Sequence, residues 1–441
     1  MGRRRYAIVG AGARAQMFAR ALVEDHADRS ELVAFADVNP VRVEAHNRRL
    51  AAHGAPPAAA WTPADLADRL VAGDVDTLLV TSVDSTHDEY IVLGLDAGVD
   101  VITEKPMTTE VEKCRRILAA ADRTGGRVTV TFNYRYNPLH EKVRELLAGG
   151  AIGRVGSVHF EWLLDVRHGA DYFRRWHRDK ANSGGLLVHK ATHHFDLVNW
   201  WLGTQPEEVY ASGRLFFYGE NGARHGYDRG YERAHGTASA ADDPFALDLA
   251  ANEELRELYL EAERVDGYHR DQNVFAAGVT IEDDLAVLVR YETGARMTYH
   301  LTAYAPWEGY RVAFNGSKGR LELDVVENDH VSLAEARAVK GAQLHGGAAA
   351  AESGGYTLTV RPFWEPPYQI DVPGYTREEH GGADARMTQV LFGDEAGQQR
   401  PDALGRAATE RDGAASLLVG LAGNESMRTG APVRVSDLLV I

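Results

Sequence analysis

Over the first 140 residues, short runs of consecutive apolar residues alternate with longer segments of helical period. The runs are YAIVG, ELVAFADV, VDTLLVTS, VDVITEKP and RVTVTFN, and the segments between them include RAQMFARALVED and DEYIVLGLDAG. Alternation of this kind predicts parallel strands joined by crossover helices, and apolar runs without polar interruption suit a sheet covered on both faces. Beyond about residue 150 the texture changes. GSVHFEWLLD, EVYASGRLFFYG, DLAVLVRYETG, ARMTYHLTAYA, YRVAFNGSKGRLELDV and YTLTVRPF are long strand candidates separated by turn signals such as ETG and NGSKG. They predict a large, open, mostly antiparallel sheet with a helix starting near Gly185 packed beside it. Residues 219–275 interrupt that sheet with a polar, charge-rich insert, expected to form an arm or lid, and the region from about Asp384 to Arg428 is helical by pattern. The expected organisation is an α/β domain with a doubly wound parallel sheet over residues 1–138, followed by an α+β domain over 139–441.

The length of 441 residues agrees with two domains, because single cores stop growing before about 300 residues. A hydrophobic fraction of 44% with 25% charged residues is ordinary for a water-soluble globular chain, and no apolar run approaches the roughly 20 residues of a membrane span. The basic start MGRRRYAIVGAG lacks the apolar stretch of a signal peptide and runs into glycines, so residues 6–9 are expected as a strand. A net charge of −16 argues against nucleic acid, whose binding draws on clustered Lys and Arg. The single cysteine, Cys114, excludes an internal disulfide and fits a reducing compartment, with the cytoplasm as the expected location.

Chemistry first surfaces in VGAGARAQ, where Gly10, Gly12 and Ala15 follow a strand in G-x-G-x-x-A spacing, and Ala13 and Arg14 open the helix. The first glycine permits a tight turn, the second lets backbone approach a pyrophosphate, and the small third residue allows close helix packing. A helix N-terminus there offers N–H groups and positive dipole to phosphate. Asp37 lies 22 residues beyond Ala15 at the end of the next strand, where its carboxylate can accept bonds from ribose hydroxyls. The first domain is therefore expected to be a Rossmann domain. The acid favours NAD over NADP because it repels a 2′-phosphate, while nearby Arg42 keeps NADP as the alternative.

A second cluster ends the strand VDVITEKP with Glu104, Lys105 and Pro106. Ligands of open α/β sheets sit beyond the carboxyl ends of the strands, so Lys105 should point into the cofactor crevice, and Pro106 favours extended geometry at Lys105 with a cis bond open to it. Together with VTSVDSTHDEY and FNYRYNP in this order, these motifs make the chain resemble the Gfo/Idh/MocA family of sugar and cyclitol oxidoreductases. The resemblance covers most of the chain. It implies that Glu104 and Lys105 line the nicotinamide site, that Lys105 touches the reacting hydroxyl, and that Ser82, His87 and Asn133 lie near the cofactor. It also implies that the open sheet mediates assembly into a homo-oligomer, a dimer or tetramer.

The stretch SGGLLVHKATHHFDLVNWWLG then raises the question of its histidines. Family members commonly carry, after a Gly-Gly pair, an Asp and then a His four residues on, followed by x-x-Asp. Gly184, Gly185, His193 and Asp196 match, whereas His189 stands where Asp is expected. On a continuous helix His189 and His193 share a face, and His194 is rotated by about 100° from His193. Three readings compete: a metal pair needing a distant third ligand such as His380, core or interface histidines, and acid/base or substrate-positioning groups opposite Lys105. The last is favoured and no metal is expected. Oxidation of a secondary alcohol needs a base at the hydroxyl. A lysine desolvated beside NAD⁺ has a lowered pKa, so Lys105 is the first candidate, His193 shares the proton, and His189 serves as a substrate hydrogen-bond group or relay.

DYFRRWHRDK adds Arg175, Trp176 and His177 as substrate candidates, since Trp stacks on sugar rings and Arg binds carboxylate or sulfonate bidentately. Arg135 in FNYRYNP and Lys190 beside His189 complete the set. The expected substrate is a small carbohydrate, a polyol or glycoside. Net dehydrogenation competes with a redox-neutral route, in which transient oxidation at sugar C3 acidifies the C2 proton, expels the aglycone and returns the hydride. A non-enzymatic NAD-binding sensor is the alternative from a different class.

Overall fold

The computed structural model describes residues 2–227, 230–333, 337, 354–376, 379–393 and 402–441. Its first sheet takes β1 (Arg4–Val9), β2 (Ser30–Ala36), β3 (Ala59–Trp61), β4 (Thr77–Val80), β5 (Asp100–Thr103) and β6 (Val128–Val130) in the spatial order 3-2-1-4-5-6. All these pairs are parallel. The order reverses between β1 and β4, the switch point at which doubly wound sheets open a crevice beyond their carboxyl ends. β4 is buried at all four positions, as the uninterrupted apolar runs require.

The second sheet has nine strands: β7 (Val155–Asp165), β8 (Pro206–Arg214), β9 (Asp284–Tyr291), β10 (Arg296–Ala305), β11 (Glu308–Gly316), β12 (Gly319–Asn328), β13 (Tyr356–Pro362), β14 (Tyr368–Gln369) and β16 (Val433–Arg434). Their order is 14-13-12-11-7-10-9-8-16, antiparallel throughout except for the central pair β7 and β10. Burial alternates along β9 and β10, so one face is packed and the other faces solvent. Val158, Phe160, Trp162 and Leu164 of β7 belong to the packed face, which the helices Pro138–Ala148, Thr192–Leu202 and Glu410–Thr429 cover.

Two connections depart from a simple division of the chain at residue 138. β15 (Ala408–Thr409) pairs antiparallel with β6 and becomes the edge of the first sheet. The helix Ala383–Phe392 also packs on that sheet, with Phe392 edge-on to Tyr6 at 5.3 Å between ring centroids. The helix Glu410–Thr429 then lies between the two sheets, and one apolar cluster runs unbroken from Ala7 and Val80 to Trp162 and Val289. Its glycines permit the approach: a Cβ at Gly420 would stand 2.6 Å from the Leu187 carbonyl oxygen, and one at Gly413 would stand 2.9 Å from Val130.

The insert is not an extended arm. It folds back on the first domain, where Leu249, Leu255, Leu258 and Tyr259 pack against Ala45 of the helix Pro40–Ala52. Arg49 of that helix pairs with Glu257 at 2.8 Å. Among the described residues, no helix is long and apolar enough to cross a membrane.

Candidate active site

A cavity of about 540 Å³ starts at the β1 turn, runs along the carboxyl edge of the first sheet and ends between the two sheets. Gly10 has a φ of +91°, and a Cβ there would come within 2.5 Å of the Ser82 backbone, so the turn requires glycine. Gly12 caps the helix Ala13–Arg20 without a side-chain bond, so the N-terminal end of the helix borders the cavity. A Cβ at Gly12 would meet nothing within 4 Å. This glycine turn at a helix N-terminus fits a dinucleotide's pyrophosphate.

At the other end of the expected cofactor, Asp37 accepts bonds from the Ala11 and Asn39 N–H groups at 2.6 and 2.7 Å. Burial pushes its carboxyl up, against the pull of Arg42 and the two N–H donors. The insert shapes this end. Tyr259 accepts from the Ala13 N–H at 3.2 Å, Arg42 pairs with Asp266 at 2.6 Å, and Asn39 Nδ2 donates to Asp266 at 2.9 Å. Tyr259, Asp266, Tyr268 and Arg270 thus line the cavity from the insert.

At the inner end the Lys105–Pro106 bond is cis, and Lys105 Nζ donates to the His189 carbonyl oxygen at 3.1 Å, an amine of the first domain reaching the second. Burial lowers the Lys105 pKa to about 8, with Asp84 and Glu104 opposing the shift. His87 is turned inward and bonds the carbonyls of Pro106 (2.8 Å) and Ser82 (3.1 Å), so it holds the loop in place. Ser82 Oγ bonds Thr86 Oγ1 at 2.8 Å. Arg14 pairs with Glu104 at 2.7 Å, and Asn133 donates to Asp384 at 2.7 Å, which ties the helix Ala383–Phe392 to the cavity wall.

The helix expected from Gly185 onward is broken. Leu186–His189 forms one turn, Lys190 and Ala191 interrupt it, and Thr192–Leu202 follows. His189 and His193 both still line the cavity. His189 Nδ1 bonds Asp84 Oδ2 at 2.5 Å, a contact between the two domains. Burial pushes Asp84 up and His189 down, so the pair favours its uncharged forms and shares a proton. His193 stacks on Tyr134 at 4.6 Å, and Tyr134 stacks in turn on Trp162 of β7. His194 packs elsewhere, bonding Tyr299 and stacking on Trp162 at 4.0 Å.

Arg175, Trp176, His177 and Lys190 also border the cavity. Trp176 stacks on His177 at 3.6 Å, and Lys190 Nζ lies 5.0 Å from the Trp162 ring centroid. Arg135 does not belong with them. It is 2% exposed, binds Asp196 through two bonds of 2.8 and 2.6 Å, and approaches Asp412 at 3.2 Å. Full pairing with carboxylates directs it into an internal ion-pair network rather than toward a substrate.

Asp84 is the group that sequence reasoning passed over, although it lies between Ser82 and His87 at the carboxyl end of β4. Together with His177 and His189 it places ligand-type atoms within 4.8 Å of one another, the one trio among the described residues with metal-ligand chemistry. Lys105 and Arg175 lie against this trio and disfavour a further cation. The His380 side chain lies outside the described residues.

Comparison with known proteins agrees with this architecture. Residues 4–132 match the Gfo/Idh/MocA model described as an oxidoreductase family NAD-binding Rossmann fold, and residues 144–435 match that family's C-terminal alpha/beta domain. YteT of Bacillus subtilis, named only as an oxidoreductase, is 34% identical over 96% of this chain and 95% of its own length. An inositol 2-dehydrogenase of Rhizobium meliloti is 29% identical over 48% of this chain and 58% of its own. The fold is shared with the WlbA dehydrogenase of Bordetella pertussis, solved with NADH and UDP-GlcNAcA, at a TM-score of 0.63 and 21% identity over 98% of both chains.

Proposed function

The chain belongs to the Gfo/Idh/MocA oxidoreductase family, and from that membership we propose that it oxidises a secondary hydroxyl of a sugar, sugar acid, cyclitol or glycoside with NAD. When bound, the nicotinamide supplies the hydride acceptor. The Gly10 to Arg14 turn would hold the pyrophosphate and Asp37 the adenosine ribose. Lys105, neutral in a good fraction of molecules near pH 8, takes the hydroxyl proton. His193 stands on the opposite wall as the group that shares it. The His189 and Asp84 pair holds a neighbouring hydroxyl or passes the proton on.

The carrying observation is the 3.1 Å contact from Lys105 to His189, which draws an amine and two imidazoles around the inner end of a dinucleotide-shaped cleft. NAD is favoured over NADP because Arg42, a cation near the expected ribose position, is committed to Asp266 and to the Leu258 carbonyl. The inositol dehydrogenase and the NADH-bound WlbA support a polyhydroxylated substrate and an NAD cofactor in this protein. Self-association is proposed through the solvent face of the nine-stranded sheet, which exposes Tyr210 and Leu288.

One observation favours a second reading. The insert closes over the cradle and the ribose end, so a dinucleotide released once per turnover would have to displace it. Retention suits a redox-neutral cycle. Purified protein with NAD⁺ and a panel of sugars, cyclitols, uronates and glycosides separates the two. NADH growth supports net oxidation, release of aglycone without NADH supports the internal cycle, and silence in both with NAD bound rejects the proposal.

A further inference from the structure

We infer that Arg175, backed by Arg270, forms a carboxylate-recognition subsite in the wall of the cavity, and that the substrate is an acidic sugar: a uronic acid or a glycoside that carries one. The inference rests on the oxidoreductase function proposed above and names its substrate class.

It starts from a charge imbalance. Asp171, at the end of the helix Val166–Arg174, accepts two bonds from Arg270 Nη2 at 2.7 and 2.9 Å and one from Arg175 Nη1 at 3.0 Å. Arg174 Nη1 stands 3.9 Å from the same carboxylate. One carboxylate therefore faces three guanidiniums, and these hold it far below the usual carboxylate range against the penalty of burial. Arg174 and Arg270 are 0% and 2% exposed, so the surplus positive charge is not relieved by water. Arg174 Nη1 and Nη2 and Arg270 Nη1 are buried without a hydrogen-bond partner. The surplus opens onto the cavity at Arg175, whose side chain is 28% exposed. Its bond to Asp171 uses one Nη1 hydrogen and its Nε is buried, which leaves Nη2 and the second Nη1 hydrogen as the paired donors for an anion.

The surroundings suit a sugar. Tyr172, Trp176 and Tyr268 border the same part of the cavity and give flat apolar faces for a pyranose ring. Trp176 stacks on His177, which meets His189 at 4.1 Å, so Arg175 stands beside the group proposed to handle a hydroxyl. A further acid near Arg175 is Asp84, which shares its proton with His189. A dinucleotide's pyrophosphate is the other anion with the chemistry to bind here, because Tyr259 links Arg270 to the cradle through a 5.7 Å cation–π contact and its bond from Ala13.

The test measures kcat/KM for matched acid and neutral pairs, glucuronate with glucose and galacturonate with galactose, as free sugars and as methyl glycosides, on NAD-saturated full-length protein. Expected is a preference for the acid of about tenfold to a hundredfold in at least one pair. Arg175→Met should abolish that preference, Arg175→Lys should restore part of it, and the Kd for NAD should hold in both. Preference for the neutral sugar in every pair overturns the inference. So does a weakened NAD Kd in Arg175→Met with acid preference intact, which assigns the arginines to pyrophosphate. If no sugar turns over while NAD binds, the proposed function fails, and calorimetry on NAD-loaded wild type still decides the subsite. Glucuronate or galacturonate binding where glucose and galactose do not supports it, and equal or absent binding rejects it. That wild-type measurement also stands if a variant does not fold.

Discussion

In the proposed reaction Lys105 is the residue that takes the hydroxyl proton. Lys105→Ala is expected to lower kcat by about 10³-fold and to leave NAD affinity nearly unchanged, read by steady-state kinetics and cofactor titration. Because burial brings its pKa to about 8 from an ordinary 10.5, the neutral amine gains population as pH rises. The oxidative kcat/KM should therefore climb through pH 8 and level off above it. Asp84→Asn breaks the proton-sharing pair with His189 and should reduce kcat by about 10²-fold while the midpoint holds near pH 8. A midpoint that moves downward would show that Asp84 carries a charge beside the amine. At the ribose end, Asp37→Ser should raise the ratio of NADP to NAD efficiency by about tenfold or more, because it removes a carboxylate repelling the 2′-phosphate. That Lys105, His189 and His193 border one cavity was legible from the strand-end rule for Lys105 and from the family resemblance for the histidines, and their roles belong to the proposal. The position of Arg135 was not legible, because nothing local reveals that Asp196 and Asp412 converge on it.

The element that aims the imidazoles is the broken helix from Leu186 to Leu202, held from behind by the helix Glu410–Thr429. Gly420 has no room for a methyl group against the Leu187 carbonyl oxygen, 2.6 Å away. Gly420→Ala should cost about 1–3 kcal/mol, seen as a lower midpoint in urea, and should reduce kcat by displacing His189 two residues on. An unchanged midpoint would show that the helices slide apart freely. Most strands were readable, from uninterrupted apolar runs in the first sheet and from long alternating ones in the second, while the two-residue strands β14, β15 and β16 escaped. β3 escaped, being three residues of Ala-Ala-Trp with little β preference. The break at Lys190 escaped too, because the sequence there carries neither Gly nor Pro. The buried Lys190, set between Tyr134 and Trp162, accompanies the interruption.

At the scale of the whole molecule, the insert is expected to govern how long a cofactor stays, through its contacts at the cradle and ribose end. Asp266→Ala removes the carboxylate that holds Arg42 and Asn39. It should speed NAD release by about tenfold or more, measured by stopped-flow displacement, and the freed Arg42 should improve use of NADP. An unaltered release rate would mean that the insert does not gate the cleft. Sequence located the insert but not its docking, since contacts between distant segments leave no local periodicity. The strand Ala408–Thr409, stitched beside Val128–Val130, has a consequence for engineering. A chimera joined at residue 138 would inherit the edge of its nucleotide sheet from the other parent, so grafting a new specificity half onto this chain also replaces part of the half it was meant to preserve.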